Sequence, residues 1–299
     1  MATANEGLVF DLSTRAKLRL TGADRLRYLN GQISNDLRKA TEEDAVHACV
    51  LSAKGKIDAE VFVAAEGEAF LLDTEREAGE ALAARLERYI IADDVQVEDV
   101  TEAFALFHVL GAEAPDLSVN GERQRASRFG EVGTDLWLAA ADHERALQEL
   151  SQAHSFCDEE CAETLRIERG LPRGGRELTG EIIPTEANLE ASAIDYAKGC
   201  YIGQEVISRI KMSGQTNKRL CGFVVAGEGR LEPGMRLVTP EAGKEVGWLT
   251  SVAASARLGR EIALGFAKRG FQETGMRLQA VAPGSASGVM VEIVGLPFA

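Results

Sequence analysis

Apolar and polar residues recur with two different periods along the first hundred positions. Leu8 to Leu12 and Lys17 to Leu20 have the texture of extended segments. Thr21-Gly22-Ala23-Asp24 then turns into an amphipathic helix with Leu26, Leu29 and Ile33 on one side. Ala45 to Leu51, Ile57 to Ala64 and Phe70 to Asp73 predict three strands. Ser52-Ala53-Lys54-Gly55-Lys56, between the first two, has the composition of a hairpin turn. Thr74 to Ile91 is rich in helix formers and sets Leu82, Leu86, Tyr89 and Ile90 at helical spacing. Val95 to Val100 and Phe104 to Leu110 return to strand. Strands and helices mix here without regular β-α alternation or a Gly-rich phosphate loop, which predicts an α+β fold and not a doubly wound sheet.

The pattern weakens afterwards, with a strand near Leu136 to Ala140 and helices near Asp142 to Ala153 and Asp158 to Arg169. Gly170 to Leu189 is a long stretch of Gly, Pro, Thr and charge, and a loop of that length in a compact protein is usually functional. A helix is predicted over about Gly203 to Lys211. From Arg219 the texture changes to short apolar runs punctuated by Gly and Pro: Cys221 to Ala226, Met235 to Val238, Val246 to Val252, Ile262 to Ala267, Met276 to Val281 and Met290 to Val294. Such spacing predicts a small antiparallel barrel or sandwich. The boundary falls near 215–219, giving a body of residues 1–217 and a C-terminal β-barrel domain of 218–299.

A chain of 299 residues exceeds one ordinary core and implies two or three lobes. With 45% hydrophobic and 27% charged residues it has the composition of a soluble globular protein. No stretch approaches the roughly 18 uninterrupted apolar residues needed to span a bilayer, so no membrane role is expected. Met1 to Leu20 holds neither the apolar core of an export signal nor the Arg- and Ser-rich texture of a transit peptide, which predicts a cytoplasmic protein. The net charge of −14 argues against general nucleic-acid binding, although Lys198, Arg209, Lys211, Lys218 and Arg219 fall close together. Five irregularly spaced cysteines, Cys49, Cys157, Cys161, Cys200 and Cys221, fit a reducing compartment and not a disulfide framework.

The segment with most chemistry is Lys198-Gly199-Cys200-Tyr201-Ile202-Gly203-Gln204-Glu205. Its glycines allow close backbone approach. A thiol just before a helix, two positions from a lysine, would have its thiolate favoured by both charges. The alternative is a buried structural cysteine in a tight turn. His154, Cys157 and Cys161 at i, i+3 and i+7 could share a helical face, but they lack a fourth ligand and a Cys-x-x-Cys pair. A packed helix surface is expected there, and no metal site. The runs Glu42-Glu43-Asp44 and Asp93-Asp94 read as solvated turns. Gly-x-Ser-x-Gly, P-loop and His-Glu-x-x-His motifs are absent.

Lys198 to Glu205 resembles the signature of YgfZ-type folate-binding proteins, which belong with the glycine-cleavage aminomethyltransferase (T-protein) superfamily. Gly22-Ala23-Asp24-Arg25, Tyr28-Leu29-Asn30-Gly31-Gln32 and Asn35-Asp36 resemble the family's N-terminal motif, and Lys54-Gly55-Lys56-Ile57 its hairpin. Leu165-Arg166-Ile167-Glu168-Arg169-Gly170, with Pro184, Glu186 and Leu189, resembles its folate loop. Gly247-Trp248-Leu249-Thr250-Ser251 and Ile262-Ala263-Leu264-Gly265 resemble its C-terminal barrel. The resemblance spans nearly the whole chain. It implies a three-lobed α+β body with a C-terminal antiparallel β-barrel, a central folate site, and tetrahydrofolate or a derivative as cofactor. Glu168 matches the family's pterin-binding glutamate, since a carboxylate can accept the pterin's adjacent donors in two-pronged fashion. Arg173, Arg176 and Arg209 are candidates for the acidic folate tail. Tyr201 and Gln204 of the signature complete the cofactor-binding set, and Cys200, Lys198 and Asp58 the catalytic one.

Two departures stand out. Aminomethyltransferases resemble this hairpin but carry consecutive aspartates, where this chain has Asp58, Ala59 and Glu60. In a strand Asp58 and Glu60 share one face and Ala59 takes the other. The transferases also carry an aspartate where this chain has Cys200, and this chain is shorter. The resemblance therefore implies a tetrahydrofolate-binding accessory factor, non-catalytic or conditionally catalytic, that supports assembly or repair of iron–sulfur enzymes, including a tRNA-modifying one. Its partners would be folate and an iron–sulfur client. The alternative is a true one-carbon transferase or demethylase, and a third reading is a module whose folate site has decayed.

Overall fold

The computed structural model describes residues 7–285 and 287–299; the first six residues of the Met1 to Leu20 stretch lie outside them. The described chain forms two compact units. One takes in residues up to Glu159 together with Ala191–Val206, the other Glu160–Glu190 together with Ile207–Ala299.

The first unit runs β1 (Leu8–Asp11), β2 (Ala16–Thr21), α1 (Arg25–Gln32), β3 (Val46–Leu51), β4 (Ile57–Glu66), β5 (Ala69–Thr74), α2 (Gly79–Arg88), β6 (Gln96–Asp99), β7 (Phe104–Leu110), β8 (Gly121–Ala126), β9 (Gly133–Ala139), α3 (His143–Ala153) and β10 (Ser155–Phe156). Its strands make two five-stranded sheets, ordered β3-β4-β5-β2-β6 and β10-β1-β7-β9-β8. Pairing is antiparallel except between β1 and β10. The period-2 pattern of β3 and β4 turns Val46, Ala48, Val50, Ala59, Val61 and Val63 into a core shared with Leu29 and Ile33 of the α1 region and Leu82 and Leu86 of α2. His47, Asp58, Glu60 and Phe62 fall on the opposite strand face.

Two expectations change here, and one strand appears that no pattern announced. Leu26 is 44% exposed, because α1 ends at Gln32 and Ile33 is already extended, so the buried stripe is Tyr28, Leu29 and Gln32. The helix expected over Thr74 to Ile91 begins later: Thr74 is taken up by pairing with Ala16, and Tyr89 and Ile91 are exposed. Strand β8, Gly-Glu-Arg-Gln-Arg-Ala, has no apolar pattern, and its pairing with β9 creates it.

A layer of charge joins the two sheets. The Arg128 guanidinium, in the β8–β9 connection, reaches Asp73 of β5 at 2.6 Å and Asp135 of β9 at 2.8 Å, with all three buried. Arg15 also pairs with Asp73, and His108 Nδ1 lies 2.7 Å from Asp135. The arginines hold the Asp73 carboxyl down at about 2 against the burial that would raise it.

Beyond β10 come α4 (Glu159–Glu168), α5 (Glu190–Ala193) and α6 (Gln204–Ser213), then β11 (Lys218–Val225), β12 (Arg236–Val238), β13 (Glu245–Ser255), β14 (Arg260–Lys268), β15 (Arg277–Val281) and β16 (Gly288–Val294). These last six close a barrel in the order β11-β14-β13-β12-β15-β16, all antiparallel. Closure pairs every strand on both sides and leaves no open edge. Phe223, Leu237, Val246, Leu249, Leu278 and Ile293 fill it. The fold is thus mixed α and β with a closed six-stranded C-terminal barrel.

Candidate functional site

Lys198 is 5% exposed, and its ammonium donates to the carbonyls of Asn30, Ile33 and Asn35, each at 2.7 Å. These carbonyls lie in the last turn of α1 and just beyond it, where a helix lacks partners and its dipole is negative. An ammonium has three donors, and all are spent. Burial lowers the Lys198 pKa to about 8, against the pull of Asp36 and Asp195. The lysine is thus an anchor whose ammonium is committed to the end of α1.

The rest of the signature is fastened around that anchor. The Lys198 ammonium sits 5.1 Å from the centre of the Tyr201 ring, and burial pushes the Tyr201 phenol up to about 12. Ile202 N–H donates to the Gly31 carbonyl at 3.2 Å, and Gln204 N–H to that of Tyr201 at 3.2 Å. Gly203 has φ +86, and a Cβ there would sit 2.7 Å from the Ser52 carbonyl oxygen; across from it Gly55 has φ +70 and would place a Cβ 2.9 Å from Val206. The β3–β4 turn and the signature therefore meet backbone to backbone, which only glycine permits. Between the two fastenings, Gly199 and Cys200 are exposed, and Cys200 is a free thiol. It is not a buried structural cysteine.

Asp58 is exposed on β4 and accepts from Arg85 Nε at 3.1 Å, while Ala59 is 5% exposed within the core, as the strand alternation predicts. Arg85 also donates to Gln32 Oε1 at 2.9 Å and the Leu51 carbonyl at 3.0 Å, tying α2 to α1, β3 and β4. No motif singled out Arg85; its only sequence signal is a polar position on an amphipathic helix. Glu60 Oε1 lies 2.7 Å from His47 Nε2, and the His47 ring stacks on Phe62 with centroids 4.6 Å apart.

His47 borders a cavity of about 760 Å³ within this unit, lined also by Asn35, Lys39, Arg125, Ser127 and Ser192. That volume lies within the range of small-molecule sites. The Asn35 amide spans it, donating to the His47 carbonyl at 2.9 Å and the Ser192 carbonyl at 3.1 Å. Lys39 pairs with Asp195 at 2.7 Å, and Arg125 grips Asp44 through two bonds of 2.8 and 2.6 Å. Asp44 is thus part of a clamp, not a purely solvated turn. Of these residues only Asn35 falls in a stretch that carries a motif.

Glu168 and Arg209 belong to the second unit. Glu168 is 8% exposed at the end of α4; Oε1 accepts from Ser255 and Oε2 from Arg257 Nε at 2.9 Å, while its carbonyl accepts from Phe298 N–H at 2.8 Å. Each carboxylate oxygen keeps a second lone pair. Arg173 pairs with Glu163 at 3.1 Å, beside the buried Arg166–Glu177 pair, and Arg176 and Arg209 are exposed. The basic cluster of the sequence loses Lys198 to the interior, while Lys218 lies 3.5 Å from Glu186 and Arg219 donates to Asn188 at 2.7 Å.

The helical face of His154, Cys157 and Cys161 does not form: α3 ends at Ala153, His154 is extended and α4 starts at Glu159. Cys157 and Cys161 are disulfide-bonded, which differs from the expectation of five reduced thiols. Among the described residues no group of three or more His, Cys, Asp or Glu side chains could hold a metal, and no helix is long and apolar enough to cross a membrane.

Comparison with known proteins adds the following. The GCVT N-terminal domain model matches residues 1–121, and the glycine cleavage T-protein C-terminal barrel domain model matches residues 218–299. An aminomethyltransferase of Saccharopolyspora erythraea is 27% identical, covering 97% of this chain and 86% of its own. The tRNA-modifying protein YgfZ of Escherichia coli is 28% identical, covering 76% of this chain and 72% of its own. Among solved structures, the glycine cleavage system aminomethyltransferase T of Bartonella henselae matches with a TM-score of 0.83 over 98% of this chain and 86% of its own, at 16% identity. That likeness shows the fold.

Proposed function

The chain belongs to the aminomethyltransferase superfamily, which has YgfZ-like members, and on that premise we propose that it is a tetrahydrofolate-binding accessory factor supporting the assembly or repair of iron–sulfur enzymes. The observation that carries this reading is how the signature is held. Lys198 is spent as an anchor, and an exposed, free Cys200 is presented from a segment fastened on both sides. Such a thiol suits exchange with a partner better than internal packing.

Glu168 fits the cofactor. It keeps two lone pairs for the pterin's adjacent donors while Ser255 and Arg257 orient it. When bound, tetrahydrofolate supplies nitrogens able to carry a one-carbon unit. Tyr201, Gln204 and Arg209 are proposed as further cofactor contacts, Arg209 toward the acidic tail. An iron–sulfur client, a cytoplasmic location and a link to tRNA modification belong to this proposal.

A second reading, a one-carbon transferase or demethylase, draws support from the aminomethyltransferase relative that covers 97% of this chain. Against it stands β4, where Asp58 is committed to Arg85 and Ala59 is turned into the core, so the carboxylate pair is missing. Equilibrium titration with tetrahydrofolate tests the shared premise: absence of binding defeats both readings. Cys200→Ser should then retain folate affinity and lose support of an iron–sulfur enzyme. Unchanged support removes the thiol from the function, and methylene-tetrahydrofolate formed from a methylamine donor would favour the transferase.

A further inference from the structure

The polar face of the first sheet carries a pair that no motif marked. His47 on β3 and Glu60 on β4 are diagonal neighbours, since His47 registers with Phe62 and Cys49 with Glu60. Their side chains are only 11% exposed each, and Nε2 and Oε1 are 2.7 Å apart. The His47 ring lies at 8° to the plane of Phe62, so its orientation is fixed by stacking as well as by the hydrogen bond. Phe62 is itself held, with the Arg128 guanidinium 4.3 Å from its centre. His47 borders the cavity of about 760 Å³.

A carboxylate can only accept, so neutral His47 must donate through Nε2–H to Glu60. That leaves Nδ1 as a proton acceptor. Among the described residues the ring's hydrogen bond is the one through Nε2. An imidazole oriented by a carboxylate, with its second nitrogen uncommitted at a cavity, is the arrangement general acid–base chemistry needs.

We propose that His47, positioned by Glu60, is the proton-carrying group of the cavity, taking a proton from an ionisable N–H of the bound ligand and returning it. The proposal rests on the folate reading above and names a proton acceptor that the missing aspartate pair does not supply. In the step, the ligand's N–H bond breaks, its electron pair stays on the ligand nitrogen, and a bond forms to His47 Nδ1. Glu60, accepting from Nε2–H, stabilises the resulting imidazolium. Other charged or titratable groups around the pair are Cys49 on its own strand, Asp73 opposite Phe62, Arg128 over Phe62, and the Lys39–Asp195 and Arg125–Asp44 pairs at the cavity. The two peripheral cations are each neutralised by an aspartate, and Arg128 is spent on Asp73 and Asp135.

The test uses the full chain with tetrahydrofolate as probe, its affinity measured across the range in which imidazoles titrate, roughly pH 5 to 8. His47→Gln should weaken binding about tenfold at neutral pH, the loss expected for one hydrogen bond to a charged partner, and should flatten the pH profile. Glu60→Leu removes the acceptor and keeps a side chain of similar size. It should shift the His47 tautomer, read by long-range nitrogen–proton NMR on histidine-labelled protein, away from the Nε2–H form of the parent. If the parent does not bind tetrahydrofolate, the folate reading fails and this proposal with it. If the parent binds and His47→Gln leaves the pH profile intact, or if Glu60→Leu leaves the tautomer unchanged, this proposal alone is overturned.

Discussion

Replacing Arg128 by methionine removes a guanidinium that bridges two buried carboxylates, Asp73 and Asp135, in different sheets of the first unit. Asp73 sits at about 2 against an ordinary 3.8, and that difference at 1.36 kcal/mol per pH unit corresponds to about 2 kcal/mol from this group. Breaking a buried pair costs about 3–5 kcal/mol because the orphaned charge stays desolvated. Arg15 remains beside Asp73 and His108 beside Asp135, so the lower end, about 3 kcal/mol, is expected. The sign in acid follows from the depressed pKa. The unfolded chain takes up the proton first, so this stabilisation is complete above 3.8 and is lost as pH falls toward about 2. Without Arg128 the folded-state pKa rises, and the acid-unfolding midpoint should move to higher pH. Urea unfolding followed by fluorescence of the buried Trp137, in a Trp248→Phe background, reads the first unit selectively. A loss below about 1 kcal/mol with an unmoved acid midpoint would show that the layer is not what joins the sheets.

Two further outcomes are expected. Lys198→Met should leave the Asn30, Ile33 and Asn35 carbonyls without their shared donor, destabilise the first unit by about 2–4 kcal/mol and loosen the signature, with faster amide exchange at Ile202 as the readout. Protection of Ile202 equal to the parent's would count against the anchor. Native alkylation followed by mass spectrometry should label Cys200 first among the free cysteines. Cys49 and Cys221 are buried, and burial pushes the Cys49 thiol well up and the Cys221 thiol up to about 11; labelling of either before Cys200 would contradict the arrangement.

The elements that could be read in advance are those whose chemistry is local. The runs from Cys221 onward alternate strongly enough to specify strands, and Gly-rich turns separate them, so a barrel was legible although its strand order was not. Alternation also sufficed to turn Ala59 inward and leave Asp58 and Glu60 on the other face. The signature itself was legible because its glycines answer to geometry: Gly203 and Gly55 both adopt positive φ where their turns touch.

What tertiary structure decided is the use to which charged side chains are put. Lys198 stands two positions from Cys200, yet its ammonium reaches 163 to 168 positions back to the end of α1. Arg128, Asp73 and Asp135 carry no common pattern, and β8 is a run of charges that becomes a strand by pairing. The reason is physical. Apolar periodicity is set by the backbone a residue belongs to, whereas a long polar side chain ends wherever unsatisfied partners lie, and those are assembled only when distant segments pack.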